Sequence, residues 1–278
     1  MFYIILIILK INLLIFQGKK IKNHSRKTFS FCTSSCDRLW QIKNTLLKNL
    51  ENIDDDCEIV LVDYMSKDGL SEWVEVNCSQ YLNNGRLIFF KVTNKVTWNV
   101  SRAKNLAHRL SEGSTLINID ADNFVTRRDI DLFRESIKYS LPFHQWSGSW
   151  TDGSYGRIGL PRDLFFSLGG YDESMLPMGG QDVDILSRIN AMGIKPIRLF
   201  SPTIKAITNS IKDKVAQINS RSNEARDLYN KMNYLNLTRG KIRLEIEGPC
   251  IQGGFASFEG LLNGKKIMID GLNEIEKL

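Results

Sequence analysis

Asp120 and Asp122 stand one residue apart in NIDADN, residues 118–123, where an apolar run from Thr115 to Ile119 ends. Carboxylates so spaced can hold a divalent cation against a diphosphate. Magnesium and manganese prefer oxygen ligands and are bound by one or two carboxylates together with the substrate's phosphates. That chemistry belongs to a nucleotide-linked substrate. Such a pair also occurs as a solvated turn cap, so the spacing alone leaves both readings open. Asp182 follows Gly179, Gly180 and Gln181 and precedes an apolar periodic run, which by residue type reads as a helix N-cap. Asp63 closes an apolar run in LVDYMSKDG, 61–69, where Ser66 and Asp68 are turn formers. Trp146 and Trp150 serve either core packing or stacking on a sugar face.

The elements that must carry these residues alternate. From Thr28 to Phe200, short apolar runs exchange with stretches of helical period, the pattern of βαβ units around a mostly parallel sheet. Strands are predicted at 28–33, 57–63, 86–93 and 115–119. Leu39, Ile42, Leu46, Leu47 and Leu50 give the first helix its apolar stripe. Further helices are predicted over about 100–110, 128–139, 161–168 and 181–192. After Ser140 the chain turns Gly-rich and aromatic, which suggests antiparallel strands and loops over the ligand end of the sheet. Beyond Pro202 it is polar and Asn-rich, and its last stretch suggests a small β-appendage.

The 278 residues carry a formal charge of +6 and are 42% hydrophobic, which suits a packed core and excludes disorder as the default. An anionic partner is expected, but Lys19, Lys20, Lys22, Arg26 and Lys27 cluster behind an apolar start. That start is interrupted by Lys10 and Asn12 and is shorter than the ~20 residues a spanning helix needs. It reads as attachment to an anionic membrane surface by apolar burial and charge. A secretory signal lacks its basic start and cleavage site here, and a tail from an upstream start is the remaining alternative. The five cysteines, Cys32, Cys36, Cys57, Cys78 and Cys250, form no paired CxxC spacing, so neither a disulfide framework nor a zinc site is indicated. His24 and His108 read as solvated, whereas His144 precedes the tryptophan loop.

Taken together, LVDYMSKDG, NVSRAKNLA (99–107), NIDADN and the run GRIGLPRDLFFSLGGYDESMLPMGGQDVDILSRINAMG (156–193) resemble the GT-A glycosyltransferases, specifically family 2 enzymes and related inverting galactosyltransferases. The resemblance implies a GT-A, Rossmann-like α/β fold with a mostly parallel sheet. It covers a catalytic domain at 28–210, which leaves an apolar segment with basic linker at 1–27 and a C-terminal extension at 211–278. The catalytic domain divides into a nucleotide-binding half, 28–124, and an acceptor half, 125–210. It implies an inverting, metal-dependent transfer of a sugar from a nucleoside diphosphate, uridine foremost, to a hydroxyl of a glycan or lipid-linked acceptor. Thr33, Arg38, Asp63, Arg102, Lys104 and Asp120 would face the donor. Asp122, with Asn209, would hold Mn2+ or Mg2+. Asp182 would be the general base, and Gly180, Gln181, Asp184 and Trp150 would face the acceptor.

Gln181 stands where the galactosyltransferases usually carry Glu, and Asn209 where their metal-binding His is expected. Asn offers a hard cation a carbonyl oxygen, not an imidazole nitrogen. These departures motivate one alternative, a non-catalytic glycan- or nucleotide-binding module on a degenerate transferase fold. Another is a nucleotidyltransferase, but FCTSSCDRLW has no Gly-rich phosphate loop. A nucleic-acid partner is not expected, since the basic charge clusters near one terminus. The expected location is the cytoplasmic face of a membrane.

Overall fold

The computed structural model describes residues 27–150, 152–200, 205–210, 213, 218, 224–252 and 254–271. The apolar start, nearly all of the basic cluster and His24 lie outside the described residues. The described strands are β1 (Lys27–Ser35), β2 (Cys57–Asp63), β3 (Leu87–Val92), β4 (Gly113–Asn118), β5 (Phe143–Gln145), β6 (Ile158–Pro161), β7 (Ile197–Leu199), β8 (Phe258–Leu262) and β9 (Lys265–Ile269). The helices are α1 (Leu39–Asn52), α2 (Leu70–Asn77), α3 (Ser79–Asn83), α4 (Val100–Arg109), α5 (Arg127–Ile137), α6 (Arg162–Ser167), α7 (Gln181–Ala191) and α8 (Ala225–Glu247).

Strand side chains alternate between faces, and each face finds its own helices. Phe29, Phe31, Ile59, Leu61 and Phe89 pack against Ile42, Leu46 and Leu50 of α1, Val74 of α2 and Phe133 of α5. Cys32, Val60, Val62 and Phe90 pack on the opposite face against Leu106 and Ala107 of α4, Phe165 of α6 and Ile185 and Ile189 of α7. Each fully buried aliphatic or aromatic side chain contributes roughly 1.5–3 kcal/mol, so these two layers fix the sheet.

The strands run β7-β5-β6-β4-β1-β2-β3-β8-β9 in one sheet. The expected parallel arrangement holds for β3-β2-β1-β4. On either side β6 and β8 join antiparallel, which extends the parallel centre into a larger mixed sheet. The C-terminal residues also depart from expectation. They do not stand apart as a β-appendage: β8 pairs with β3, and β9 with β8, as a continuation of the central sheet.

Chain connections pass α1 across one face between β1 and β2, and α4 across the other between β3 and β4. The strand order therefore reverses between β1 and β4. In open α/β sheets a crevice forms outside the carboxyl ends of the strands at such a point.

Candidate active site at the β1–β4 switch point

Both carboxylates of NIDADN leave β4 at this crevice. The Ile119 amide donates to the Cys32 carbonyl at 3.0 Å, so the end of β4 is held beside the end of β1, where Thr33 is buried and Arg38 follows in the next loop. Asp63 closes β2 and is buried; it accepts from the Ser66 amide at 2.8 Å and the Ser71 hydroxyl at 2.9 Å. Burial raises its pKa against the pull of those donors. Asp63 thus organises the DYMSKDG turn at the same edge. Ser66 and Asp68 act as turn formers: the Asp37 amide donates to Ser66 Oγ and the Leu39 amide to Asp68.

Asp122 sits deeper than Asp120. The segment 205–207 pairs with the carboxylate loop through Phe124 to Lys205 and Ile207 to Asp122, which brings Asn209 against Asp122. Asn209 Nδ2 donates to Asp122 Oδ2, and Asn123 Nδ2 donates to Oδ1 at 2.6 Å. Burial, then the charge of Asp120, pushes the Asp122 carboxyl up to about 6. Two acceptor oxygens beside this carboxylate, Asn123 Oδ1 and Gln41 Oε1, are buried without a partner.

Unpartnered oxygens beside a carboxylate are ligands that a hard cation can use. Among the described residues, no three His, Cys, Asp or Glu side chains gather as a cage. A cation here would have Asp122 and Asp120 together with substrate phosphates. Asn209 presents its nitrogen, not its oxygen, to Asp122, because its Oδ1 accepts from Gln41 Nε2 at 3.0 Å. To act as the expected ligand its amide must turn over and the Gln41 amide with it, so that the orphan Gln41 Oε1 receives the Asn209 N–H.

The approach to α7 is shaped by a turn. Gly179 and Gly180 take φ of 88° and 85°, left-handed values that favour glycine, and lie against α8, where a Cβ on Gly179 would meet Asn233 at 2.9 Å. Asn236 of α8 reads this turn. Its Nδ2 donates to the carbonyls of Leu176, Met178 and Gly179 at 3.1, 3.1 and 2.7 Å, and its Oδ1 accepts from the Leu176 amide at 2.8 Å. Gly180 is the N-cap of α7, so Asp182 falls in the first turn of the helix and is not its cap.

Lys104 Nζ reaches Asp182 Oδ1 at 2.8 Å and Asp120 Oδ1 at 3.4 Å. The carboxylate that follows β4 and the one in the first turn of α7 are thereby joined by Lys104, a residue expected, with Arg102, to face the donor. Burial opposes charge on Lys104, but Asp120 and Asp182 more than offset it and raise its pKa. On the other side of the pair stands Gly156. A Cβ there would lie 2.9 Å from Asp120 Oδ2 and 3.2 Å from Asp182 Oδ2.

Asp184 requires a correction. It is buried and held by Arg188 Nε at 2.7 Å and Arg243 Nη2 at 3.1 Å, with no oxygen turned to an acceptor. Two residues along a helix from Asp182, it faces inward. Gln181 is also buried, its amide donating to the Leu176 carbonyl at 3.4 Å. Arg102 is partly exposed and lies 3.8 Å from Glu173.

His108 is a second correction. It is buried because α4 is covered on both sides; its ring stacks on Phe165 at 4.5 Å, and its Nδ1 donates to the Lys104 carbonyl at 2.7 Å. His144 Nε2 lies 2.8 Å from the Tyr155 carbonyl, and burial lowers its pKa. Trp150, 65% exposed, stacks on Tyr155 at 4.3 Å with Trp146 edge-on to both. Tyr155 and Tyr229 have pKa values raised first by burial and then by the charge of Asp182. The sequence pattern missed Gly156, Gln41, Asn236, Arg243 and Tyr229. The only signal for them was residue type at positions where apolar periodicity says nothing.

By sequence, the chain matches no family model and no curated protein. By structure it is similar to the mannosyltransferase PcManGT of Pyrobaculum calidifontis, solved with GDP-Man and Mn2+. There the TM-score is 0.54 at 18% identity over 80% of this chain and 75% of that one. It is similar also to S. aureus TarS 1-349 solved with UDP, at TM-score 0.52 and 14% identity over 79% of this chain and 72% of that one. GalNAc-T7, solved with UDP, GalNAc and Mn2+, gives TM-score 0.50 at 18% identity, covering 80% of this chain and 55% of that one. The fold is that of the GT-A glycosyltransferases, enzymes of nucleotide sugars.

Proposed function

We propose that this protein is an inverting, metal-dependent glycosyltransferase that moves a sugar from a nucleoside diphosphate, uridine foremost, to a hydroxyl of a glycan or lipid-linked acceptor. One observation carries the reading: Asp120, one residue from Asp122 at the switch point, faces Asp182 across Gly156. Neighbours of the same fold that were solved with Mn2+ and with UDP or GDP-Man support it. Asp122 and Asp120 would hold the cation, whose chemistry is to neutralise charge gathering on the leaving diphosphate. Thr33, Arg38 and Asp63 line the donor edge, and Arg102 at the start of α4 supplies a planar fork for phosphate. Asp182 takes the proton of the attacking hydroxyl, a contribution of typically 10²–10⁴-fold. Trp150, stacked on Tyr155, offers an exposed ring to an acceptor sugar. Gly180 and Gln181 shape the floor of that cleft.

Isothermal calorimetry of the full chain with uridine diphosphate tests this, with and without manganese, beside Asp122→Ala. Manganese-dependent binding that disappears in the variant is expected; absence of binding under all conditions would point to another nucleotide or remove the reading. A second reading, a non-catalytic nucleotide-binding module, draws on the Asn209 nitrogen turned toward Asp122. It predicts binding without manganese and no turnover of any sugar nucleotide. We further place the basic, apolar residues 1–27 against an anionic leaflet on the cytoplasmic side; co-sedimentation with phosphatidylserine vesicles that is lost on replacing Lys19, Lys20 and Lys22 is the expected result.

A further inference from the structure

Lys104 is 4% exposed, and its ammonium lies between carboxylates that come from different halves of the protein. A buried lysine keeps its charge only where opposite charge repays the lost hydration. Here two carboxylates share that task. Their geometry is bracketed from both sides: Lys104 touches Oδ1 of each, and the Cα of Gly156 faces Oδ2 of each. The lysine itself is set by the fold. Asn99 caps α4 by accepting from the Arg102 amide at 3.1 Å, and its Nδ2 donates to the Met175 carbonyl at 3.0 Å. The Val100 amide donates to the Pro177 carbonyl at 3.0 Å. The helix that carries Lys104 is therefore pinned to the very turn that delivers Asp182. The ring of Tyr171, 5.2 Å from Nζ, closes the pocket behind it.

We infer that Lys104 is a positioning residue for transfer: it holds Asp120 and Asp182 at fixed spacing and occupies Asp182 Oδ1, so that Oδ2 is the oxygen that receives the acceptor proton. Without the ammonium, two carboxylates would repel across the cleft, and Asp182 would rotate away from Gly156. This inference rests on the glycosyltransferase reading. The bond changes are those of that reaction: the acceptor O–H breaks, its proton passes to Asp182 Oδ2, the acceptor oxygen bonds the anomeric carbon, and the diphosphate departs with the electron pair.

The test combines a stability cycle with kinetics on the full chain. Urea unfolding is followed for Lys104→Met, Asp182→Asn and the double variant. Each single change leaves a buried charge short of its partner, so the double variant is expected to be more stable than the sum of the singles allows. If Lys104→Met does not fold but the double variant does, the coupling is established by that alone. Additive losses would overturn the inference. In turnover, Lys104→Met is expected to lower kcat roughly ten- to a hundredfold while donor KM stays within about threefold. A merely structural lysine would move neither or both, and an unchanged kcat sinks the role. Should the wild type bind no nucleoside diphosphate by calorimetry, the glycosyltransferase reading falls and the role in transfer falls with it, a result told apart from additive losses by its readout.

Discussion

Gly156 is a residue whose importance lies in what it lacks. Any side chain there would occupy the space shared by Asp120 and Asp182. Gly156→Ala should leave the fold intact by circular dichroism yet lower turnover by up to about a hundredfold, the scale of a 1 Å misplacement. Undiminished turnover would mean that the two carboxylates do not work at the spacing described. Residues at this scale were unequally legible in the sequence. Asp120 and Asp122 stood out by type and spacing, whereas Asp182 read by type as a helix cap and took its role from the family resemblance. Asp184 did so too, and wrongly, because a carboxylate two residues along a helix points elsewhere and its partner Arg243 lies 59 residues away. Lys104 was legible as a cation beside the site but not as a bridge, since nothing local joins it to a residue 78 positions on.

At the scale of elements, β1 to β4 and the helices between them follow from apolar period, because each buries a regular stripe in a two-faced sheet. The helix α8 does not. Its buried positions Met232, Asn236, Gly240 and Arg243 recur at helical spacing, yet most are polar or small, so hydrophobic pattern passes over them. What α8 buries instead is a charge network: Arg243 reaches Asp172 Oδ2 at 3.0 Å as well as Asp184. Arg243→Met should cost roughly 3–5 kcal/mol in urea unfolding, the effect of removing one partner from a buried pair. It should also depress turnover through the turn that Asn236 holds. A loss below about 1 kcal/mol would show that the network is not what fastens α8.

For the molecule as a whole, stability is tied to pH through His108. Burial pushes its pKa down to about 3, whereas an unfolded histidine titrates near 6.5. The unfolded chain therefore binds a proton that the native one refuses, so stability is full above pH 6.5 and is lost as pH falls toward 3. Replacing His108 with Phe, which retains the stack on Phe165, should flatten the fall of the unfolding midpoint between pH 6.5 and 4; parallel slopes would assign the acid sensitivity to other groups. The order in which the chain is made adds a last consequence. Contacts of β3 and the loop after it with β8 and its turn span 165 residues and more, and Asn236 of α8 supplies part of the hold on the turn before α7. During translation β1 to β4 can assemble as they emerge from the ribosome, while the turn before α7 waits for α8. Competence is thus acquired only after α8 and β8 have been synthesised.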